Sequence, residues 1–232
     1  RFLDLRACAT GGGGLRRFHD VSALTEEERA ERFPLVFGAY QAEDDDDAPI
    51  APLLQAVDNG DVELAEALLK YGAPPDQRAA NGTTPLYTAC QRDMREMVRA
   101  LCQGGADPHA PSGRMGATPL YIACHKGCVG PIEELLAAGA DANLRHKDGT
   151  TALYTAAKGG HAGAAEALLV ARADPCFTTQ KGLTALHRAA SGNSPIVAAV
   201  LLTARADPDA LDSAGAAALH LASSGGCREV AE

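Results

Sequence analysis

No tryptophan occurs among the 232 residues, and aromatic side chains make up only 4% of the chain. The apolar fraction is 46%, dominated by small alanine and by leucine. That mix permits a folded protein, but it suits thin helical layers packed close together better than one large globular core. No run approaches the roughly 18 apolar residues that a membrane span needs; the richest stretch, 195–206, is short. Arg1 is not an initiator and no signal-peptide pattern follows it. The glycines at 11–14 lack both the spacing and the following Lys-Ser/Thr of a phosphate-cradling loop.

The seven cysteines show no pairing pattern. Cys90 and Cys124 fall where Ala157 and Ala190 stand in register, and Cys102 replaces a leucine, so these three read as small buried hydrophobes. The redox expectation is a reducing, intracellular compartment, cytoplasmic or nuclear. Asn81-Gly82-Thr83 matches a glycosylation acceptor, but nothing in the chain points to secretion. Cys124, His125 and Cys128 lack the second close pair of a structural zinc site. No thiol or hydroxyl stands beside a base outside the repeated positions, so no catalytic residue, metal or cofactor is expected.

What the chain does have is a tetrapeptide at fixed pitch. It reads Thr84-Pro85-Leu86-Tyr87, Thr118-Pro119-Leu120-Tyr121, Thr151-Ala152-Leu153-Tyr154, Thr184-Ala185-Leu186-His187 and Ala217-Ala218-Leu219-His220. Successive copies lie 34, 33, 33 and 33 residues apart. Gly82, Gly116, Gly149, Gly182 and Gly215 each precede a copy by two residues. A second ladder keeps step, with Gly72, Gly105, Gly139, Arg172 and Arg205 each followed by alanine.

This pitch and box resemble the ankyrin repeat, which implies an all-α solenoid of helix-turn-helix units joined by β-turn or hairpin loops. Within one unit, Asp148-Gly149 suits a tight turn and Thr151 a helix N-cap. Leu153, Ala156 and Ala157 then point inward, Gly159-Gly160 breaks the helix, and a second helix over about 161–171 buries Leu168-Leu169. Asp61 and Ser194 hold the cap position of the second helix, with Pro195 just inside it. The residue after Thr-x-Leu (Tyr87, Tyr121, Tyr154, His187, His220) is expected to tie the neighbouring turn. Arg172 and Arg205 stand where glycine adopts a left-handed conformation. A cost of about 1–2 kcal/mol for a non-glycine residue there predicts looser ends to repeats four and five.

The repeat domain is expected over 49–232, as five whole repeats and the opening of a sixth. Residues 1–48 form a non-repeat segment with a glycine break, a short helix over 25–33 opened by a Thr25-to-Glu28 capping box, and an acidic linker at 43–47. The acidic run lacks the alternating spacing and glycine of a calcium loop. The chain stops before the Leu-Leu pair (Leu101-Cys102 in the second repeat) that closes every other repeat, so it is expected to be an excerpt of a longer protein.

Ankyrin stacks bind through turn tips and the exposed side of the first helices, the concave face. By phase this face carries Asp58 and Asn59; Arg78, Asn81, Thr83, Gln91 and Arg92; Arg114, Met115, His125 and Lys126; Arg145, Lys147, Asp148 and Lys158; and Gln180, Lys181, Leu183 and Ser191. Eight are Lys or Arg and two are Asp, in a chain of net charge −9. The second helices carry Glu63, Glu66, Glu96, Glu133, Glu134 and Glu166, which predicts a more acidic outer side.

The expected function is a protein-interaction module, monomeric, with no catalysis of its own. Its partner is expected to be another protein, an acidic or polar peptide segment included, and not nucleic acid, for which stacking aromatics are missing. Solvated turn lysines with no common target leave the same charge pattern. A regulatory or targeting segment of a larger enzyme or channel is the alternative role.

Overall fold

A computed structural model of the chain describes residues 52–113, 115–225 and Cys227. The expected helix over 25–33, the glycine break, the acidic run and Arg114 lie outside the described residues. The described residues form eleven helices in strict alternation. The first helices of the units are α1 (Pro52–Asn59), α3 (Pro85–Gln91), α5 (Pro119–Lys126), α7 (Ala152–Gly159), α9 (Ala185–Ser191) and α11 (Ala218–Ser224). The second helices are α2 (Val62–Lys70), α4 (Arg95–Gln103), α6 (Val129–Ala137), α8 (Ala162–Val170) and α10 (Pro195–Thr203).

Threonine starts four of the first helices, α3, α5, α7 and α9, whereas α11 follows Ala217 with no side-chain cap. The threonine hydroxyl accepts the amide three residues on: Thr84 from Tyr87 at 3.3 Å, Thr118 from Tyr121 at 3.2 Å, Thr151 from Tyr154 at 3.3 Å and Thr184 from His187 at 3.3 Å. Pro85 and Pro119 occupy the first turn, where an amide would have no intrahelical partner.

The second helices begin differently. Only Asp61 caps with its side chain, accepting the Leu64 amide at 3.0 Å. Ser194 does not cap; its hydroxyl donates instead to the Gly192 carbonyl at 3.5 Å. What sets these starts is backbone. The amides of Asp61, Met94, Cys128, His161 and Ser194 each reach back to an alanine carbonyl of the preceding helix, at 2.9–3.0 Å. A bond made by main chain alone leaves the side chain at that position open, which is why Asp, Met, Cys, His and Ser all appear there.

The ends of the second helices correct one expectation. Arg172 and Arg205 take φ of 63°, in the left-handed region with Gly72, Gly105 and Gly139. Their turns close as tightly as the glycine turns: Ala173 N–H to Leu168 O is 2.9 Å and Ala206 N–H to Leu201 O is 3.0 Å, against 2.9 Å from Ala73 to Leu68. Repeats four and five therefore end as sharply as the others. The stack imposes the conformation, and the strain stays in the residue rather than loosening the turn.

Each first helix packs on the next first helix, each second helix on the next second helix, and the two of a unit on each other. One apolar core runs the length of the stack, from Leu53 to Cys227. Leu86, Leu101, Leu135, Leu168 and Leu201 are fully buried in it. The second leucine of each pair sits nearer solvent, and Leu202 is 47% exposed.

Candidate interaction surface

The turns between units are joined into a row by direct bonds. Gly113 N–H donates to Gly82 O at 2.9 Å, Ser213 N–H to Lys181 O at 3.0 Å, and Thr84 N–H to the buried Ser112 hydroxyl at 2.8 Å. A parallel row runs beside it. Asp76, His109 and Asn143 accept the amides of Asp107, Asp141 and Asp174 at 3.1, 2.9 and 2.8 Å. Successive hairpin tips thus keep a fixed separation, and the residues they project share one side of the stack.

The slot after Thr-x-Leu ties neighbouring turns by two means. His187 is 1% exposed; its Nδ1 accepts the Thr184 amide at 3.2 Å, while Nε2 faces the Ala216 carbonyl at 3.0 Å, which fixes the tautomer with the proton on Nε2. Tyr121 instead stacks its ring on His146 of the next turn, centroids 5.0 Å apart and planes 28° from parallel. His146 in turn places Nε2 3.2 Å from the Met115 carbonyl and Nδ1 3.2 Å from Asp148 Oδ1.

The structure sorts the candidate residues. All that it describes are exposed or half-buried, and Met115 is 74% exposed. Several are engaged within the stack. Asn81 Oδ1 accepts the Thr83 amide and hydroxyl at 3.0 and 2.6 Å. Arg78 donates to Gly82 O at 3.1 Å, and Arg92 to Asp58 O at 2.7 Å. Leu183 N–H donates to the Thr179 hydroxyl at 3.2 Å, and Gln180 reaches Lys147 O at 3.5 Å. Asp148 Oδ1 accepts from the Thr150 amide and hydroxyl at 3.0 and 2.6 Å. Partial burial raises its carboxyl pKa, but bonds from Thr150 and His146 outweigh that and hold it below the ordinary value.

Lysine behaves differently. Among the described residues, Lys126, Lys147, Lys158 and Lys181 form no ion pair, nor does Arg145, whose guanidinium lies 4.6 Å over the Phe177 ring. Gln91, His125 and Ser191 are exposed beside them. Sequence reasoning missed His146 and Phe177 as partners of this face, while Tyr121 was expected to tie the neighbouring turn. The alternation Arg145-His146-Lys147 on a hairpin was the available signal.

On the second helices the acids of the middle units are matched by arginine. Arg95 reaches Glu133 at 3.1 Å and Glu134 at 2.9 Å; Arg99 reaches Glu134 at 2.8 Å and Glu96 at 2.9 Å. Hydrogen bonds from Arg99 and then Arg95, opposed by burial, hold the Glu134 carboxyl at about 2. The charge of the outer side is therefore partly offset around α4 and α6, while α8 and α10 carry a single acid, Glu166. The second helices carry these glutamates with Glu63, Glu66 and Glu166 against Lys70, Arg95 and Arg99, so this side keeps an excess of acid, and Glu63, Glu66 and Glu166 are exposed.

Burial pushes the thiols of Cys90 and Cys124 well up and that of Cys102 to about 11, so none is a thiolate at neutral pH. The six described cysteines are unpaired. Cys124 lies wholly in the core whereas His125 faces solvent. Among the described residues no group of three His, Cys, Asp or Glu could hold a metal, and no helix is long and apolar enough to cross a membrane.

Comparison with known proteins agrees with this geometry. A family model described as ankyrin repeats matches three overlapping stretches, 53–146, 130–212 and 163–232. The chain belongs to the ankyrin-repeat family. Among curated ankyrin-repeat relatives, human NF-kappa-B inhibitor alpha is 36% identical over 95 residues, 40% of this chain and 29% of that protein. Mouse protein phosphatase 1 regulatory subunit 27 is 41% identical over 61 residues, 26% of this chain and 40% of that protein. Human 2-5A-dependent ribonuclease is 42% identical over 57 residues, 24% of this chain and 8% of that protein. The chain thus spans less than half the length of each relative. Ankyrin repeats are protein-interaction modules, and two of these relatives are named as an inhibitor and a regulatory subunit.

Proposed function

We propose that this ankyrin array binds a partner protein through the row of hairpin tips and first helices, the concave side in stacks of this family, using its positive charge. The observation that carries this reading is the contrast in pairing. Arg95 and Arg99 on the second helices are matched by glutamates, whereas Lys126, Lys147, Lys158 and Lys181 on the turn side have no carboxylate among the described residues. Unmatched cations along one side favour an acidic or polar peptide segment and speed its encounter. The array has no catalysis of its own and acts as an intracellular, monomeric scaffold or adaptor. Reversing Lys126, Lys147 and Lys181 to Glu tests this. Affinity for an acidic peptide should fall by about tenfold or more, and the wild-type affinity should weaken steeply as salt rises. Equal binding by wild type and the triple variant sinks the reading.

The acidic run at 43–47 is one candidate occupant, acting in cis. Deleting it should tighten binding of the same peptide in trans; unchanged affinity removes it as a plug.

A second reading makes the array a regulatory or targeting part of a larger enzyme or channel. The match to 8% of a ribonuclease favours it, because there an ankyrin segment accompanies a catalytic protein. Sequencing the transcript on both sides of these residues separates the two: an adjoining catalytic or membrane domain selects the second.

A further inference from the structure

We propose that a one-residue insertion opens a groove on this face that takes an aromatic side chain flanked by carboxylates. The inference rests on the partner-binding reading above and adds which point of the face, and which side chain, anchors the partner.

The box spacing is 34 residues between Thr84 and Thr118 and 33 elsewhere. The amide-accepting row narrows the extra residue further, since Asp76 to His109 is 33 and His109 to Asn143 is 34. The insertion therefore falls between 109 and 118, and backbone bonding places it at the hairpin tip. In the other hairpins a residue's amide bonds the carbonyl four positions on, as Ala79 to Thr83, His146 to Thr150 and Thr179 to Leu183. Here Ser112 bonds Ala117, five positions on, and Gly116 closes onto Gly113 instead. The longer tip carries Met115 outward.

Beside this tip lies a groove of about 200 Å³, between the hairpin and the one that follows. Pro111, Leu120, Tyr121 and Leu144 give it an apolar lining, and Arg145 and Lys147 add two cations. Its volume is that of one aromatic side chain. Among the described residues, the other ionisable groups that line it are engaged within the stack. His109 accepts the Asp141 amide, His146 faces Met115 O and Asp148, and Asp141 Oδ1 accepts the Asn143 amide at 2.8 Å. Arg145 and Lys147 have no carboxylate among the described residues. A partner that covers them must bring carboxylates, or it buries unpaired charge at high cost. An apolar ring fills the groove and its acidic neighbours meet the two cations.

The test uses the full chain and a fluorescent synthetic peptide, Gly-Ser-Asp-Glu-Tyr-Glu-Asp-Ser-Gly, followed by anisotropy. It is repeated with residues 43–47 changed to serine, so that the chain's own acids cannot occupy the face. Deleting Met115 restores the 33-residue pitch and the hairpin length used elsewhere in the stack. With helicity unchanged, it is expected to weaken binding by about tenfold. Arg145→Glu with Lys147→Glu, and Tyr→Ser in the peptide, are expected to cost about as much, and Lys181→Glu only about twofold. The deletion and the charge reversals act independently, so a failure of one variant to fold leaves the other decisive. Equal binding of the Tyr and Ser peptides, or unchanged affinity in the folded deletion variant, overturns the groove. If Lys181→Glu then matters as much as the groove reversals, the wider face still stands. Absence of binding by either peptide in the serine chain removes both.

Discussion

The outer helices of the two halves of this stack share a register and a core but not a surface. Helices α4 and α6 are cross-braced by Arg95 and Arg99 against Glu96, Glu133 and Glu134. Helices α8 and α10 have one acid between them and turn Val170 and Ile196 outward, 86% and 68% exposed. Their αL turns differ too, with glycine in the first half and Arg172 and Arg205 in the second. Yet the junction bonds have equal lengths in both halves. The repeat is held by buried leucines and main-chain bonds, and what faces water is left to vary.

The hardest way to break the comparison is through the shared core. Leu135→Ala and Leu168→Ala remove fully buried side chains, one from each half, and each is expected to cost about 3 kcal/mol in urea unfolding. A cost confined to one half would show that the halves do not share a core. The charged brace comes next. Glu134→Gln should lose about 1–2 kcal/mol at neutral pH, discounted because Arg95 and Arg99 are 48% and 43% exposed. The Glu134 carboxyl lies below its ordinary 4.5, at about 2, so its contribution is complete above 4.5 and fades as pH falls toward 2. Wild type and variant should converge there, and a gap that persists to pH 2 would rule the brace out.

Relieving the left-handed arginines is expected to have a smaller effect, of opposite sign. Arg172→Gly and Arg205→Gly should each stabilise by about 1 kcal/mol, while Gly139→Arg should destabilise by a similar amount. Thermal unfolding of the three variants checks this, and no gain from either arginine change would mean the stack relieves the strain elsewhere. The smallest effect belongs to the uncharged surface. Ile196→Lys should change stability by less than about 0.5 kcal/mol, because that side chain already faces water. A larger loss would mean that α10 is covered in the native protein.

Nearly all of the fold was legible because the features that build it repeat. Five boxes in phase located the Thr caps, the buried leucines and the turns. Junction chemistry was less legible: Ser194 looked like a cap from its type, but the bond there belongs to the main chain. Arg172 was read as a defect because propensity is local, whereas the conformation is imposed by neighbouring units. Phase put the described candidate residues at or near solvent, but it did not sort them. Nothing in the sequence says that Arg92 reaches the Asp58 carbonyl while Lys126 and Lys147 form no ion pair among the described residues. The spacing of 34 was visible from the start, and only the bond from Ser112 to Ala117 showed which turn it enlarges.

The backbone hand-off from one helix to the next carries a consequence for how such a chain changes length. The bonds from first to second helix use amides and carbonyls that every complete unit supplies, so a unit can be cut out at its seams. Excising residues 152–184 joins Thr151 to Ala185 and rebuilds an unbroken Thr-Ala-Leu-His box, with α9 in the place of α7. The shortened chain keeps Thr151 as the cap, and the gap closes without a new kind of contact. Length in this protein is a countable quantity, adjustable in steps of one repeat by recombination at matching boxes.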